Sequence, residues 1–271
     1  MGKLFYAVVV GAILFFAYKK SVLLGLAATV IFIAYFIYTY LPQIYCIIGK
    51  RKFGEGKYDE AAQWYKKAVD TGHAKGDIRM EYSYILLRTG DVDKAEQIVN
   101  EILSYKLKPQ MRARAVIQRC MCYYKRGNIK EALDDAMELY NDGYRSIMLY
   151  GMIGFFMIET DPDSEKTFDF CCEAYEYAND DRDICDNMLI CHYNRGEYER
   201  AKEISDSVLD AQPLFVEAWY HGAQIDDKLG DYAAALEKLE RIKDCRRSFM
   251  TTIPESDVKE LKQAVEQKLS E

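Results

Sequence analysis

Not one aspartate or glutamate occurs in the first 52 residues, whose only charged side chains are Lys3, Lys19, Lys20, Lys50, Arg51 and Lys52. The 271-residue chain has a formal net charge of −7, so with +6 at this end residues 53–271 carry −13. So acidic a body excludes the basic footprint by which nucleic-acid-binding domains neutralise phosphates. Histidine is scarce: His73, His192 and His221 are the only three, and no HExxH or CxxC accompanies them. Cys191 and His192 are adjacent, but neighbours on a helix point about 100° apart. Cys120-x-Cys122 and Cys171-Cys172 also lack zinc spacing, so no metal or other cofactor is expected. A phosphate-cradling glycine loop and a nucleophile elbow are missing too. The chain therefore reads as a non-enzyme with no catalytic residues and no small-molecule substrate. Its eight cysteines form no evenly spaced disulfide framework; most sit within helical patterns, where they pack as small hydrophobes.

The acid-free end is apolar. Residues 22–41 have the length of a bilayer-spanning helix, and Tyr35, Tyr38, Tyr40 and Tyr45 gather near its end like an interfacial belt. Residues 4–18 form a shorter apolar helix of about 22 Å, against a hydrocarbon core of roughly 30 Å. Lys3, Lys19 and Lys20 could snorkel to fit it. A cleaved signal peptide is the competing reading. It is disfavoured because Phe16-Ala17-Tyr18-Lys19-Lys20 offers no small-x-small site and a second apolar run comes at once. The two runs are expected to form a transmembrane hairpin with Lys3 and Lys50–Lys52 on one side and Lys19 and Lys20 in the turn. The excess of positive charge at the hairpin's ends then places the remaining residues on the cytoplasmic side. No Gly/Ser linker separates this end from the rest of the chain, so the second helix is expected to continue through Pro42 into the body of the protein.

In that body a glycine, an aliphatic residue or tyrosine two positions on, and an alanine five positions on recur in phase. The instances begin at Gly56, Gly90, Gly127, Gly196 and Gly230, with alanines at Ala61, Ala95, Ala132, Ala201 and Ala235. The first two glycines are 34 residues apart, as are the last two, and the second and third are 37 apart. Such a period marks stacked helix pairs, because one pair cannot bury its apolar face alone. Each glycine is expected at the end of a first helix in the left-handed region, and each alanine where the second helix approaches closely. Between Gly143 and Asn179 the dividing glycine is replaced by Asp161-Pro162, with Asp161 suited to capping and Pro162 to the first helical position.

These residues resemble the tetratricopeptide-repeat (TPR) family over roughly residues 45–243. The last repeat carries Trp219, Ala223, Gly230, Tyr232 and Ala235 at the family's slots, and the first carries Gly49, Gly56, Tyr58, Ala61, Tyr65 and Ala68. The resemblance implies an all-α, right-handed superhelix of about six helix pairs whose first helices line a concave groove. The implied peptide-contacting residues are Met80, Tyr84 and Arg88; Ile117, Met121 and Tyr124; Asp186, Ile190 and Tyr193; and Tyr220 and Gln224. The carboxylate clamp that some members use for a chaperone tail is not reproduced, since Met80, Glu81 and Gln118 stand at its slots. A partner with apolar or aromatic anchors and some positive charge suits the acidic body better.

The expected organisation is a membrane anchor over 1–44 (helices about 4–18 and 22–41), a TPR-like solenoid over 45–243, and a connection and capping helix over 244–271. The connection, residues 244–252, is expected to be exposed. The cap should start near Pro254 and bury a stripe of Val258, Leu261, Ala264, Val265 and Leu269. Two functions fit. One is a scaffold that binds a protein or peptide in its groove and positions it at the bilayer. The other is an accessory subunit of a membrane complex, associating through the small faces of Gly11, Gly25 and Ala27-Ala28, with the solenoid as a spacer.

Overall fold

A computed structural model describes residues 2–271. It is all-helical: among the described residues there are fourteen α-helices and no strand. Two helices open the chain, α1 (Gly2–Lys20) and α2 (Val22–Gly54). Next come α3 (Tyr58–Asp70), α4 (Gly76–Thr89) and α5 (Val92–Leu103). After them lie α6 (Pro109–Lys125), α7 (Ile129–Asn141), α8 (Ile147–Thr160) and α9 (Glu165–Tyr177). The last are α10 (Arg182–Asn194), α11 (Tyr198–Leu209), α12 (Val216–Leu229), α13 (Tyr232–Arg241) and α14 (Glu255–Ser270). They form two compact units, one ending at Tyr105 and one running from Lys106 to Glu271.

The repeat punctuation works as its chemistry requires. All five repeat glycines have φ between +74° and +94°, where a side chain would be strained. The five alanines are 0% exposed, because the paired helices leave room for a methyl group and nothing larger. In the divergent fourth repeat Thr167, Cys171 and Ala174 take the buried i, i+4, i+7 positions that Ala61, Tyr65 and Ala68 hold in the first. The turn there differs from expectation. Helix α9 begins at Glu165 after Ser164, so Pro162 lies in the turn and not at the first helical position. Asp161 serves through its backbone carbonyl, which accepts from the Thr167 hydroxyl at 2.8 Å. The glycines of this repeat lie inside α8 instead. The Asn187 amide of α10 donates to the Gly151 carbonyl at 2.8 Å, and a Cβ on Gly154 would come within 2.8 Å of that same amide nitrogen.

In the first unit, α2 is one helix of 33 residues, about 50 Å long, with Pro42 inside it. Its last part is the first helix of the first repeat, so the expected boundary at residue 44 falls inside a continuous helix. Helix α1 folds back on it at Ser21. Gly25 takes the ring of Tyr18, where a Cβ would meet ring atoms at 2.3 Å, and the Tyr18 and Thr29 hydroxyls are 3.2 Å apart. Gly25 is thus used within this pair of helices, not on an outer face. Only α2 is, among the described residues, long and apolar enough to cross a membrane by length and composition, and 6% of its most apolar window is buried. The expectation for the Lys3 side chain lies outside the described residues. Lower down, Glu81 of α4 ties three helices together. It accepts from Lys50 Nζ at 2.9 Å, from the Tyr65 hydroxyl at 2.8 Å and from the Cys46 thiol at 3.3 Å.

At the far end the cap is narrower than its sequence stripe. Val265 is fully buried, and Val258 and Leu261 pack beside it against the core around Trp219, Ala223 and Leu239. Ala264 is exposed and Leu269 is 54% exposed, so they lie off the packed face.

These contacts set the response to substitution. Gly154→Ala gains about 1 kcal/mol of helix propensity but overpacks the Asn187 contact at a cost of about 1–3 kcal/mol. The variant should therefore be less stable in denaturant titrations, whereas Gly76→Ala, with nothing within 4 Å of its Cβ, should not. Burial pushes the Glu81 carboxyl up, yet the hydrogen bonds from Lys50, Tyr65 and Cys46 outweigh it, and its pKa lies below the ordinary 4.5. A depressed carboxyl stabilises the fold above its unfolded pKa and loses that contribution as pH falls through the folded value. Glu81→Gln should thus cost about 1–2 kcal/mol at neutral pH, and the gap from wild type should close as unfolding is measured at progressively lower pH.

Candidate peptide-binding surface

In the first unit the candidate residues come from α4. Met80 is 2% exposed and packs in the core, leaving no surface for a partner. Tyr84 is half-buried, its ring centroid 6.2 Å from that of Phe53. Arg88 stacks over Tyr58 at 4.1 Å and donates to the Tyr58 hydroxyl at 2.7 Å. Its guanidinium is thus held beside an aromatic group, an arrangement that costs little side-chain entropy on binding. Lys50 is engaged by Glu81.

In the second unit Ile117 of α6 is 7% exposed and also a core residue. Met121 and Tyr124 are half-buried, and the Tyr124 ring meets Phe155 of α8 edge-on at 5.3 Å. From α10, Ile190 packs partly into the core beside Cys191 and Leu189, while Tyr193 sits edge-on to Tyr198 at 5.4 Å. Asp186 is engaged within the surface: its carboxylate is 2.8 Å from Nδ1 of His221 on α12. Tyr220 and Gln224 of α12 are half-buried.

The electrostatics of this second surface are acidic. Burial raises the Tyr124 phenol, and Glu159 and Glu217 raise it further, so carboxylates of α8 and α12 act on a residue of α6. Burial alone would lower His221, but Asp186, with Glu217 and Glu159, outweighs it and the net shift is upward. Lys125, at the end of α6, is lowered by burial. Glu217 has no signal in the sequence pattern, because it sits just off the positions that the family resemblance implies. Among the described residues no group of three or more His, Cys, Asp or Glu could hold a metal ion. The arrangement places half-buried aromatic rings within the field of carboxylates. A raised histidine contributes stability below its unfolded pKa and loses it as pH rises through the folded value. NMR titration should find His221 above 6.5 in the wild type, and Asp186→Asn should bring it down.

Residues 52–115 match one tetratricopeptide repeat family model and residues 192–248 match another. No curated protein sequence matches the chain. Among solved structures, a tetratricopeptide repeat protein from Parabacteroides merdae aligns over 84% of this chain and 87% of its own, with TM-score 0.62 and 16% identity. A chain of the APC/C hetero-tetramer Cut9–Hcn1 covers 83% of this chain and 42% of its own, at TM-score 0.66 and 12% identity. PilF of Pseudomonas aeruginosa covers 74% and 90%, at TM-score 0.59 and 14% identity. At such identities these likenesses speak for the fold alone. With the two matched stretches, they identify this as a chain that carries tetratricopeptide repeats in an all-α helical-repeat fold.

Proposed function

We propose that this protein is a membrane-anchored scaffold whose repeats hold a protein or peptide segment and position it at the bilayer. The observation that carries the reading is α2. Over residues 22–41 its large apolar side chains stand exposed, among them Leu23 at 79% and Ile31 at 68%. Near its end, Cys46 and Gly49 are buried against the first repeat. An exposed helix that is apolar all round needs a non-aqueous surrounding, and here the same rigid rod is part of the binding domain. Residues 1–44 then form the anchor, 45–243 the solenoid and 244–271 the connection and cap. Lys3 and Lys50–Lys52 at the open ends of the helical pair favour the cytoplasmic side for the repeats. The free state of all eight cysteines suits that reducing compartment. Tethering restricts encounters to the membrane plane and raises the effective concentration of a bound partner.

Half-buried tyrosines are the side chains most able to supply contact area at low entropic cost. Affinity capture from gently solubilised native membranes should recover a partner with the wild type. Tyr84→Ala/Tyr124→Ala/Tyr193→Ala, confirmed helical by circular dichroism, should lose at least about tenfold of it, about 1.4 kcal/mol. A partner held equally by both proteins would sink the groove reading and move association to the N-terminal helices, as an accessory subunit would have it. Release of the wild type from membranes by alkaline carbonate would sink the anchor.

A further inference from the structure

The connection to the cap is expected to be exposed, and only its first half is. Arg246, Arg247 and Ser248 are exposed, whereas residues 249–253 are half-buried. The segment forms a closed turn. The Ser248 amide donates to the Thr251 hydroxyl at 2.8 Å, the Thr251 amide to the Ser248 carbonyl at 3.2 Å, and the Met250 amide to the Ser248 hydroxyl at 3.0 Å. Its tip presents Phe249 and Met250.

Both flanks of this turn are held by the repeats of the second unit. The Arg246 amide donates to the Leu214 carbonyl at 2.8 Å. The Thr252 amide donates to Glu217 on α12 at 2.8 Å, and the Thr252 hydroxyl faces the same oxygen at 3.4 Å. At the tip, the Phe249 ring lies 5.9 Å from Lys125 Nζ at the end of α6. Phe249 and Thr252 are three residues apart and span at most about 10 Å. One short peptide therefore reaches from the third repeat's first helix to the last repeat's. A backbone amide on a first-helix carboxylate, with an aromatic anchor beside it, is the contact set that a bound peptide makes: main-chain bonds hold it and side chains select it. The surface is charge-selective as well, since Glu159, Asp186 and Glu217 act on its Tyr124 and His221 against Lys125.

We propose that the face of the second unit between α6 and α12 binds a basic peptide segment with one aromatic anchor, and that residues 248–253 occupy it in cis until such a segment displaces them. This rests on the scaffold reading and adds the face, the chemistry of the partner and the competitor. The incoming aromatic group takes the place of Phe249 beside Lys125, and a backbone or cationic donor takes the place of the Thr252 amide on Glu217. Because only the opened form binds, the apparent affinity is lowered by the fraction that is open.

The test uses the full chain in detergent micelles and a fluorescent synthetic peptide of residues 246–253, Arg-Arg-Ser-Phe-Met-Thr-Thr-Ile. Phe249→Ala/Thr252→Pro removes the anchor and the amide donor from the cis segment without touching any helix. That variant should bind the peptide at least about tenfold more tightly than the wild type. Adding Glu217→Ala should abolish the gain, and a peptide with both arginines changed to glutamate should not bind. Phe249→Ala alone, which keeps every backbone hydrogen bond, is the second variant and should shift affinity in the same direction. Equal affinity of wild type and both variants, at unchanged helicity, would overturn the cis occupancy. A gain that Glu217→Ala leaves untouched would overturn the site. If these fail while the triple tyrosine variant still loses its native partner, this inference falls and the scaffold reading stands.

Discussion

The ring of Tyr65 lying on the bare backbone of Gly49 is the contact on which the first unit depends. A Cβ at Gly49 would come within 2.6 Å of that ring, so α2 and α3 approach as closely as two helices with one aromatic group between them can. The hydroxyl of the same tyrosine reaches Glu81, which in turn holds Lys50 and Cys46. One side chain thereby packs α2 against α3 and cross-links both to α4. Because α2 is continuous through Pro42, any displacement of its exposed apolar part is transmitted to these buried contacts. Proline interrupts the hydrogen-bond ladder locally, but the turns on its C-terminal side are locked by the repeat. The apolar stretch and the first helix of the first repeat are one continuous helix.

The same economy of small residues recurs along the chain in a different guise. Where the inter-helix turn is regular, the close approach is made by an alanine on the second helix, and its methyl group is wholly buried. Where the turn is built from Asp161 to Ser164, the small residues move into the first helix: Gly151 and Gly154 admit Asn187, and Thr167 replaces the alanine. Gly222 does likewise in α12, where a Cβ would meet the Ser205 hydroxyl at 2.9 Å. Packing density in helix pairs is set by the space left between backbones, and a repeat can make that space from either side. The buried Asp226, 0% exposed and paired with Lys202 and Lys238, adds a charge network between α11, α12 and α13.

These particulars explain what the sequence could and could not disclose. The glycine–alanine phase is a backbone requirement, so it is legible from residue types alone, and the helix pairs fall where that phase puts them. Orientation of the first helices is a different matter. Helices α4 and α6 are packed on several sides, which erases the polar face that periodicity relies on. Met80 and Ile117, groove residues by the family resemblance alone, therefore lie in the core, and Tyr84 and Tyr124 next to them are half-buried. The stripe on α14 shows the opposite difficulty. Val258, Leu261 and Val265 meet the core, but Leu269 is left in solvent despite correct spacing. The placement of residues 249–253 against α12 is a long-range event and carries no local signal at all.

That last placement bears on how strongly anything else must bind. A segment tethered on both sides competes at an effective concentration of about a millimolar, so even weak contacts keep it seated. Its hold here includes one amide on a carboxylate, one ring near a lysine, and a turn that satisfies its own polar groups. Half-buried Glu217 remains when it leaves, and a partly desolvated carboxylate that loses its donor is destabilised. A displacing partner must therefore supply at least the donor that Thr252 withdraws from Glu217. A purely apolar peptide would exchange one ring for another and lose that bond. A basic one replaces the donor and also meets Glu159 and Asp186, so selectivity for positive charge follows from what the cis segment leaves behind.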